Sequence, residues 1–286
     1  MESLRRERPE AGESLGEVGR ARRFACKATS SSFGVSTGVE LWVLPASDAA
    51  LARKLATLGT DGVGGFDAGW GEDEHGAFLL RRVPSTTISA LAKGEKLEGL
   101  TALAKIRDLA RALAACEKAA IFPGPLRPTE VALGSEGRAE AWIAAEPLVR
   151  ARLGDVAGAS GVTAPSPRWT PPEQTAGAPW DNAANRYVLG LVAYRLIAGA
   201  HPNAGIGLRD AMRAQDAAPP PFEEGIAAAL RPGLQSLVLA MIDPDPAKRP
   251  ASAAAIVARC EEILASDVPD HSEARAARAT SPKNGT

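Results

Sequence analysis

The feature that most constrains the fold is a change of hydrophobic period at Pro84. Before it, short apolar runs alternate with Gly- and Ser-rich connectors, a pattern typical of β-hairpins. The segment 49–58 instead has apolar residues at helical spacing, with Asp48 as a candidate cap. The predicted order is therefore β-β-α-β-β, a small sheet with one helix. The predicted strands cover residues 22–28, 39–44, 66–70 and 77–83.

After Pro84 the apolar residues recur every three or four positions, which is the spacing of amphipathic helices. The segment 186–198 is apolar almost all round, which indicates a helix buried inside a lobe. Asn185 is a good N-cap for it and Gly199 a good stop. We therefore expect an α+β fold with a β-rich first lobe and a mainly helical second lobe. The other predicted helices cover residues 100–119, 234–242 and 252–264, and in the first of these Lys105, Arg107 and Arg111 are expected to face solvent.

Composition limits the class of protein. The chain has 286 residues, 45% of them hydrophobic, which is enough to bury a sizeable core. Its formal net charge of -1 argues against a dedicated nucleic-acid-binding protein, because such surfaces cluster Lys and Arg. Three cysteines without short spacing and three scattered histidines leave no credible zinc site. Cysteines of this kind favour reduced thiols in the cytoplasm.

No targeting or membrane segment is visible in the sequence. Residues 1–20 alternate charges and lack the apolar stretch of a secretory signal. The longest apolar run, residues 187–200, contains Arg195 and is too short to cross about 30 Å of hydrocarbon. We expect a soluble, cytoplasmic protein with no direct membrane insertion.

Four short motifs follow one another in the second half of the chain. They are W-T-P-P-E at 169–173, N-R-Y-V-L-G at 185–190, G-A-H-P-N at 199–203 and D-P-D-P-A-K-R-P at 243–250. They resemble four landmarks of the Hanks-type Ser/Thr protein kinase family. These landmarks are the A-P-E end of the activation segment, the D-x-Y-S-L-G and G-x-x-P-F ends of the central buried helix, and the later D-P-x-x-R-P. Each match is weak alone, but four in the right order and spacing are strong.

The resemblance implies a protein-kinase-like bilobal fold and covers about residues 15–265. A small β-rich N-lobe with one helix would precede a larger, mainly helical C-lobe. On this frame we expect four parts. These are a charged, weakly ordered leader (1–15), a degenerate N-lobe (16–83), a C-lobe (84–266) and a disordered tail (267–286).

The resemblance also implies one structural ion pair. In the family, the Glu of A-P-E pairs with the Arg of the later motif and ties the activation segment to the helical lobe. These positions correspond to Glu173 and Arg249. Largely buried charges need a partner, and breaking such a pair costs about 3–5 kcal/mol. We therefore expect these side chains to be in contact; the alternative is two ordinary surface charges.

The family's catalytic loop, H-R-D-L-K-P-x-N, maps onto residues 123–130 (P-G-P-L-R-P-T-E). Pro123 stands at the His, Pro125 at the catalytic Asp and Glu130 at the metal-binding Asn. Proline has no acid, base or ligand atom, so Pro125 is predicted to have no catalytic role. Arg127, at the lysine position, is an obligate cation that could contact a phosphate, although surface packing is the favoured role.

The position of the family's metal-binding D-F-G aspartate falls on Ile143, followed by Ala144 and Ala145. No carboxylate is present there to hold magnesium between phosphates. A shifted register that brings in Glu146 is the alternative, and Glu130 alone makes a poor cation site.

The ATP-binding positions of the predicted N-lobe are altered as well. Residues 38–44 look like the family's V-A-x-K strand, with Trp42 at the phosphate-binding Lys and Glu40 at the small Ala above the adenine. An indole and a carboxylate facing the pocket would fill it and repel phosphates. The vestigial cleft is predicted to contain Val39, Glu40, Trp42, Ala132 and Ile143.

Two further kinase features are incomplete. The candidate Gly-rich loops, residues 16–19 and 29–34, lack the three glycines that allow close backbone approach to phosphates. The helix at 49–58 contains no Glu to pair with a lysine. Lys54 is present instead and is expected to face solvent.

The resemblance therefore implies a pseudokinase, a kinase-like binding or allosteric signalling module with no catalytic residue, cofactor or metal of its own. Its partner would be a protein, such as an active kinase or another signalling protein, and not a nucleic acid. Two alternatives stay open. One is a divergent active Ser/Thr kinase that transfers phosphate from ATP, and the other is a non-catalytic ATP sensor. ATP and magnesium are cofactors only under those alternatives.

Overall fold

The computed structural model describes residues 5–18, 20–26, 38–83, 86–133, 141–143 and 166–266. It is an α+β structure with a β-sheet N-terminal region and a helical C-terminal region, as the change of period predicts. The N-terminal region contains an antiparallel five-stranded sheet in the order β1-β2-β3-β5-β4. Its strands are β1 (Ala11–Val18), β2 (Ala21–Cys26), β3 (Val39–Leu44), β4 (Gly69–Asp73) and β5 (Gly76–Arg82).

Strand β3 lies in the middle of this sheet, and all six of its residues are buried. Because successive side chains of a strand point to opposite faces, β3 contributes to two cores. Trp42 and Leu44 belong to the main core, which also takes in the apolar side of helix α1 (Ala49–Gly59). The other face carries a second apolar cluster, made of Val39, Leu41, Val43, Ala68, Phe78 and Leu80. Packing on both faces therefore fixes this strand.

Helix α1 begins without the cap that the sequence predicts. The Asp48 side chain makes no capping hydrogen bond. Its carboxylate instead accepts from the Arg20 guanidinium, at 2.9 Å for one oxygen and 3.2 Å for the other. The guanidinium offers two donors to the carboxylate in a fixed, planar geometry, whereas a cap offers a backbone N–H. Lys54 is exposed, as predicted.

The predicted weakly ordered leader, residues 1–15, contains structure that the sequence pattern does not indicate. Strand β1 begins at Ala11 and pairs antiparallel with β2, which makes the order β-β-β-α-β-β. Further upstream, Arg5 forms a parallel bridge with Trp70 of β4. The alternating charges concealed these elements because strands at sheet edges commonly carry charged side chains.

The C-terminal region combines helices with a small antiparallel sheet in the order β6-β7-β8. The strands are β6 (Thr86–Thr87), β7 (Val131–Leu133) and β8 (Ala141–Ile143). The helices are α2 (Gly99–Lys118), α3 (Pro172–Thr175), α4 (Asn182–Ala198), α5 (Leu208–Ala214), α6 (Glu224–Ala227), α7 (Leu234–Met241) and α8 (Ala253–Ala265). The four helices predicted in this region are confirmed as α2, α4, α7 and α8. Among the described residues, no helix has both the length and the apolar character needed to cross a bilayer.

Helix α4 is the buried centre of this region, since 13 of its 17 residues are buried. It begins earlier than predicted. Asp181, and not Asn185, is its cap, and the Asp181 carboxylate accepts from the Ala184 N–H at 2.9 Å. The helix stops at Gly199 as predicted, where φ is +74° and a side chain would meet the Gly94 carbonyl oxygen at 2.6 Å. Glycine is required there on both grounds.

One residue of α2 that was predicted to face solvent is buried. Lys105 is 8% exposed, whereas Arg107 and Arg111 are partly exposed. Helix α2 packs against both α4 and α8. These two neighbours cover more of its surface than its amphipathic pattern indicates.

Glu117, near the end of α2, joins three helices. One of its carboxylate oxygens accepts from Arg186 of α4 at 2.8 Å, and the other accepts from the Ala253 N–H at the start of α8 at 2.9 Å. The Glu117 side chain is 18% exposed and that of Arg186 is 11% exposed. The helix dipole adds to this arrangement, because a negative charge is favourable at the N-terminus of α8.

We expect Glu117→Ala to lower the free energy of unfolding by about 2–4 kcal/mol, because Arg186 and the first turn of α8 would lose a largely buried partner. Urea denaturation followed by circular dichroism measures this loss. Glu262→Ala is the matched control, since Glu262 pairs with Arg259 on the exposed side of α8. Losing such a pair costs at most about 0.5 kcal/mol. Equal effects of the two variants would contradict the role given to Glu117.

Candidate functional site

Trp42, which stands where the kinase resemblance places a phosphate-binding lysine, is a core residue. It is 1% exposed. Its indole packs edge-on against Phe66 with ring centres 5.3 Å apart, and its Nε1 donates to Glu40 Oε2 at 2.9 Å. The polar atom of the ring is therefore satisfied, and its apolar body is packed.

Glu40 lies on the same face of β3 as Trp42 and contacts two arginines. Its carboxylate is 3.4 Å from the guanidinium of Arg23 on β2 and 3.4 Å from that of Arg81 on β5. Both guanidiniums also lie over the Trp42 ring, 5.3 and 5.7 Å from its centre. These two cations were not predicted from the sequence. Their signal is the strand register, which sets Arg23 opposite Trp42 and Arg81 opposite Glu40.

Val39 does not share this surface, so the predicted cleft needs correction. Its side chain belongs to the second apolar cluster, together with Leu41 and Phe78. Neighbouring residues of a strand point to opposite faces, which separates Val39 from Glu40 and puts Glu40 together with Trp42. Of the three β3 residues predicted in the cleft, Glu40 and Trp42 lie on one face of the sheet and Val39 lies on the other.

Ile143, where the resemblance predicts a metal-binding aspartate, ends β8. Its side chain is 1% exposed in the main core. Its N–H donates to the Gly62 carbonyl at 3.0 Å, and its carbonyl accepts from the Gly64 N–H at 2.7 Å. An aliphatic side chain offers no ligand atom to a metal. Ala132 on β7 is 4% exposed, and the alternative ligand Glu146 lies outside the described residues.

The other candidate metal and phosphate positions do not form a site within the described residues. Glu130 ends a short 3-10 turn, Pro128–Glu130, that leads into β7. Across the described ranges, no three His, Cys, Asp or Glu residues come close enough to hold a metal ion together. Of the candidate Gly-rich loops, residues 16–18 belong to β1, and the segment 29–34 lies outside the described residues.

Asn185 holds the loop that resembles a catalytic loop. It is 1% exposed and sits inside α4. Its Oδ1 accepts from the Leu126 N–H and from Trp180 Nε1, each at 2.8 Å, and its Nδ2 donates to the Gly124 carbonyl at 2.9 Å. The residue predicted as a helix cap is thus a buried bridge to the loop. An amide suits this place because it donates and accepts at once.

The loop itself has a defined conformation. Pro123 and Leu126 are buried, and Gly124 between them has a φ of +94°, which favours glycine. Pro125 is partly buried, and its ring carries no group that transfers a proton. Arg127 is partly buried and engaged with a neighbour.

Glu173 and Arg249 are in contact, as the sequence predicts. The distances are 2.6 Å from Arg249 Nη1 to Glu173 Oε1 and 2.8 Å from Nη2 to Oε2. The Arg249 side chain is fully buried, and its Nε also donates to the Asp243 carbonyl at 2.8 Å. The guanidinium lies 4.6 Å from the ring centre of Tyr187 on α4. This pair therefore ties α3 to α4 and to the turn before α8.

A second anchor of the same region was not predicted. Arg168 Nη1 donates to the Asn203 carbonyl at 2.6 Å, and the Arg168 carbonyl accepts from Gln215 Nε2 at 2.6 Å. Trp169 packs edge-on against His201 with ring centres 5.0 Å apart. A signal was available, because Trp169 and His201 belong to two of the four motifs.

His201 serves this anchor as a neutral acceptor. Its Nδ1 accepts from the Asn203 N–H at 3.1 Å, which requires that nitrogen to be unprotonated. Burial lowers the pKa of His201 to about 4, and the charge of Arg168 acts in the same direction.

The chain is similar to bacterial protein kinases. It is 32% identical over 187 residues to the serine/threonine-protein kinase pkn2 of Myxococcus xanthus, a match that covers 63% of this chain and 22% of that protein. It is 31% identical over 109 residues to Pkn1 of the same organism, covering 38% and 16%, and 28% identical over 107 residues to pkn3, covering 36% and 19%. The chain thus spans about a fifth of the length of the curated relatives it matches. No protein-family model matches the chain.

These similarities support a protein-kinase-like family and a bacterial origin. The structure agrees with them, since a β-sheet region followed by a helical region is consistent with a kinase-like bilobal fold. Each kinase name belongs to a whole relative, and the match with this chain covers only a part of that relative.

We expect Asn185→Asp to lower the free energy of unfolding by about 1–3 kcal/mol, although the side chains have the same shape. The carboxylate cannot donate to the Gly124 carbonyl and would bring a charge into a buried site. Urea denaturation measures the loss, which should shrink at about pH 4, where the introduced carboxyl group takes up a proton and can donate again. Asn182→Asp, at the first turn of α4, is the control and should change stability by less than about 0.5 kcal/mol. Equal, pH-independent effects would contradict this role of Asn185.

We expect the protein to lose stability as the pH falls from about 7.5 to about 5, partly through His201. Its folded pKa of about 4 lies below the ordinary value of 6.5, so the unfolded chain takes up the proton first. The loss begins near pH 6.5 and amounts to about 2 kcal/mol at pH 5. Urea titrations at several pH values measure it. His201→Gln should flatten this part of the profile, and His75→Gln, at an exposed position, should leave it unchanged; the reverse result would contradict the assignment.

Proposed function

We propose that this chain is a protein-kinase-like domain that does not transfer phosphate and that acts as a binding or allosteric module in signalling. The observation that carries the proposal is the burial of Trp42, hydrogen-bonded to Glu40 and packed on Phe66. Phosphoryl transfer relies on cations placed around the phosphates, and an indole supplies none. A side chain packed in this way stays in place unless part of the sheet unfolds.

The loop at 123–130 supports the same proposal. Asn185 holds it through the backbone of Gly124 and Leu126. The loop therefore keeps a fixed shape, but Pro125, at the position of the catalytic Asp, has no atom that can accept the proton of a substrate hydroxyl. At the metal position, the aliphatic side chain of Ile143 packs into the core.

Such a module would act through its surface on a protein partner, for example an active kinase or another signalling protein. Two anchors, Glu173 with Arg249 and Arg168 with Asn203, hold the segment 166–175 against the helices. A surface that is already ordered suits binding, because little conformational entropy is lost when the partner arrives.

A nucleotide sensor without turnover is the second candidate. The observation in its favour is that Arg23 and Arg81 place two obligate cations beside Trp42. An anionic ligand beside Trp42 would meet guanidinium groups in place of the lysine. A divergent kinase would need, in addition, a proton acceptor and a metal site.

We expect ATP to leave the melting temperature unchanged, with or without magnesium. A site with a Kd of about 0.1 mM would add about 2 kcal/mol to the free energy of unfolding at about 5 mM ATP. For a domain of this size that corresponds to a rise of roughly 3–4 °C. Scanning calorimetry of the full chain measures it, with Arg81→Ala as the matched variant.

The outcomes separate the candidates. A magnesium-independent rise that disappears in Arg81→Ala would replace the proposal with the sensor. A magnesium-dependent rise, together with transfer of labelled phosphate to a protein substrate that Glu130→Ala abolishes, would show an active kinase.

A further inference from the structure

Residues 5–8 lie beside β4 and are joined to it by one parallel bridge. Arg5 forms a bridge with Trp70, and the Arg6 N–H donates to the Trp70 carbonyl at 2.8 Å. In the described part of the chain, β4 pairs with β5 on its other edge. The short segment therefore occupies the edge of β4 that can still accept a strand.

Side chains of this segment alternate as in an extended strand. Arg6 and Arg8 are partly buried, whereas Glu7 between them is exposed. The Arg8 side chain contacts the sheet. Recognition of the segment thus rests on this side chain and on the backbone of Arg6.

Arg8 is the anchor of the segment. Its Nε lies 2.6 Å from Asp73 Oδ2, and its Nη2 donates to the Gly76 carbonyl at 3.0 Å. Its guanidinium lies 5.2 Å from the ring centre of Phe78, and its side chain is 16% exposed. A carboxylate, a carbonyl and an aromatic face together suit a planar guanidinium better than an ammonium group.

Gly71 makes room for the backbone of the segment. A Cβ at this position would lie 2.5 Å from the Arg6 carbonyl oxygen and 2.6 Å from the Phe78 ring. Any larger residue would therefore push the segment away from β4. A glycine in a strand often marks such a close approach of another backbone.

We propose that this edge-strand site is a docking site for an extended, arginine-bearing segment of a partner protein, and that residues 5–8 occupy it in cis. The edge-strand site consists of Trp70, Gly71, Asp73, Gly76 and Phe78. Strand addition is a general recognition mode in which main-chain hydrogen bonds give affinity and side-chain pockets give specificity. The inference goes beyond the proposed function and does not depend on whether phosphate transfer is lost.

Residues 5–8 and the partner segment compete for the edge-strand site, and the tether sets the effective concentration of residues 5–8. A tethered segment competes as if it were present at about millimolar concentration. A partner segment that fills the arginine pocket and continues along β4 makes further contacts and displaces it. Weakening the cis segment should therefore open the site to a peptide added in solution.

The test uses the full chain and a fluorescent peptide with the sequence of residues 2–10, followed by fluorescence anisotropy. Arg8→Ala in the chain removes the anchor of the cis segment. We expect this variant to bind the peptide at least about 10-fold more tightly than the unmodified chain, in which the tethered segment competes. The same peptide carrying Arg8→Ala should bind the variant at least about 10-fold more weakly than the original peptide, because it cannot fill the pocket.

Two controls keep the outcome interpretable. The melting temperature of the Arg8→Ala chain verifies its fold, and hydrogen exchange at residues 69–73 should slow when the peptide binds. Asp73→Asn, added to the Arg8→Ala chain, should remove most of the peptide binding. Absence of saturable binding to a folded Arg8→Ala chain, or equal binding of the two peptides, would overturn the proposal. Neither result bears on nucleotide binding, so the proposed function is tested separately.

Discussion

The burial of α4 is the constraint on which the helical region depends. A buried helix that carries polar side chains must give each of them a partner, because an unpaired polar group in the interior costs several kcal/mol. Arg195 donates to the carbonyls of Leu91, Ala92 and Glu95, which fixes the chain ahead of α2. Asn185 fixes the proline-rich loop in the same way. The loops around this helix are thus positioned by polar groups on the helix.

The N-terminal sheet is stabilised mainly by apolar packing, since its central strand contributes to an apolar core on each face. Strand β3 contributes to two cores, and Trp42 is one of its largest contributions. The Glu40 carboxylate accepts from the indole N–H and also contacts the guanidiniums of Arg23 and Arg81. Trp42, which the resemblance predicts at a cleft, is part of the packing that stabilises the sheet.

The sequence predicted best what depends on spacing along the chain. The contact between Glu173 and Arg249 follows from two motifs at fixed separation, and α4 follows from its nearly continuous apolar surface. It predicted poorly what depends on strand register. Arg23 and Arg81 meet at Glu40 only because three strands are aligned, and β1 is an edge strand whose charges resemble a leader. Asn185 shows a third limit, because the same residue type serves as a helix cap and as a buried bridge.

The packing of Trp42 limits which residues can stand at this position. A lysine here would leave the volume of an indole unfilled and would set a third cation beside Arg23 and Arg81. Both effects lower stability, by a few kcal/mol in total. Such a change would need coordinated replacements on β2, β3 and β5, because Arg23 and Arg81 come from the two strands that flank Trp42. The three strands therefore constrain one another's sequences at this point.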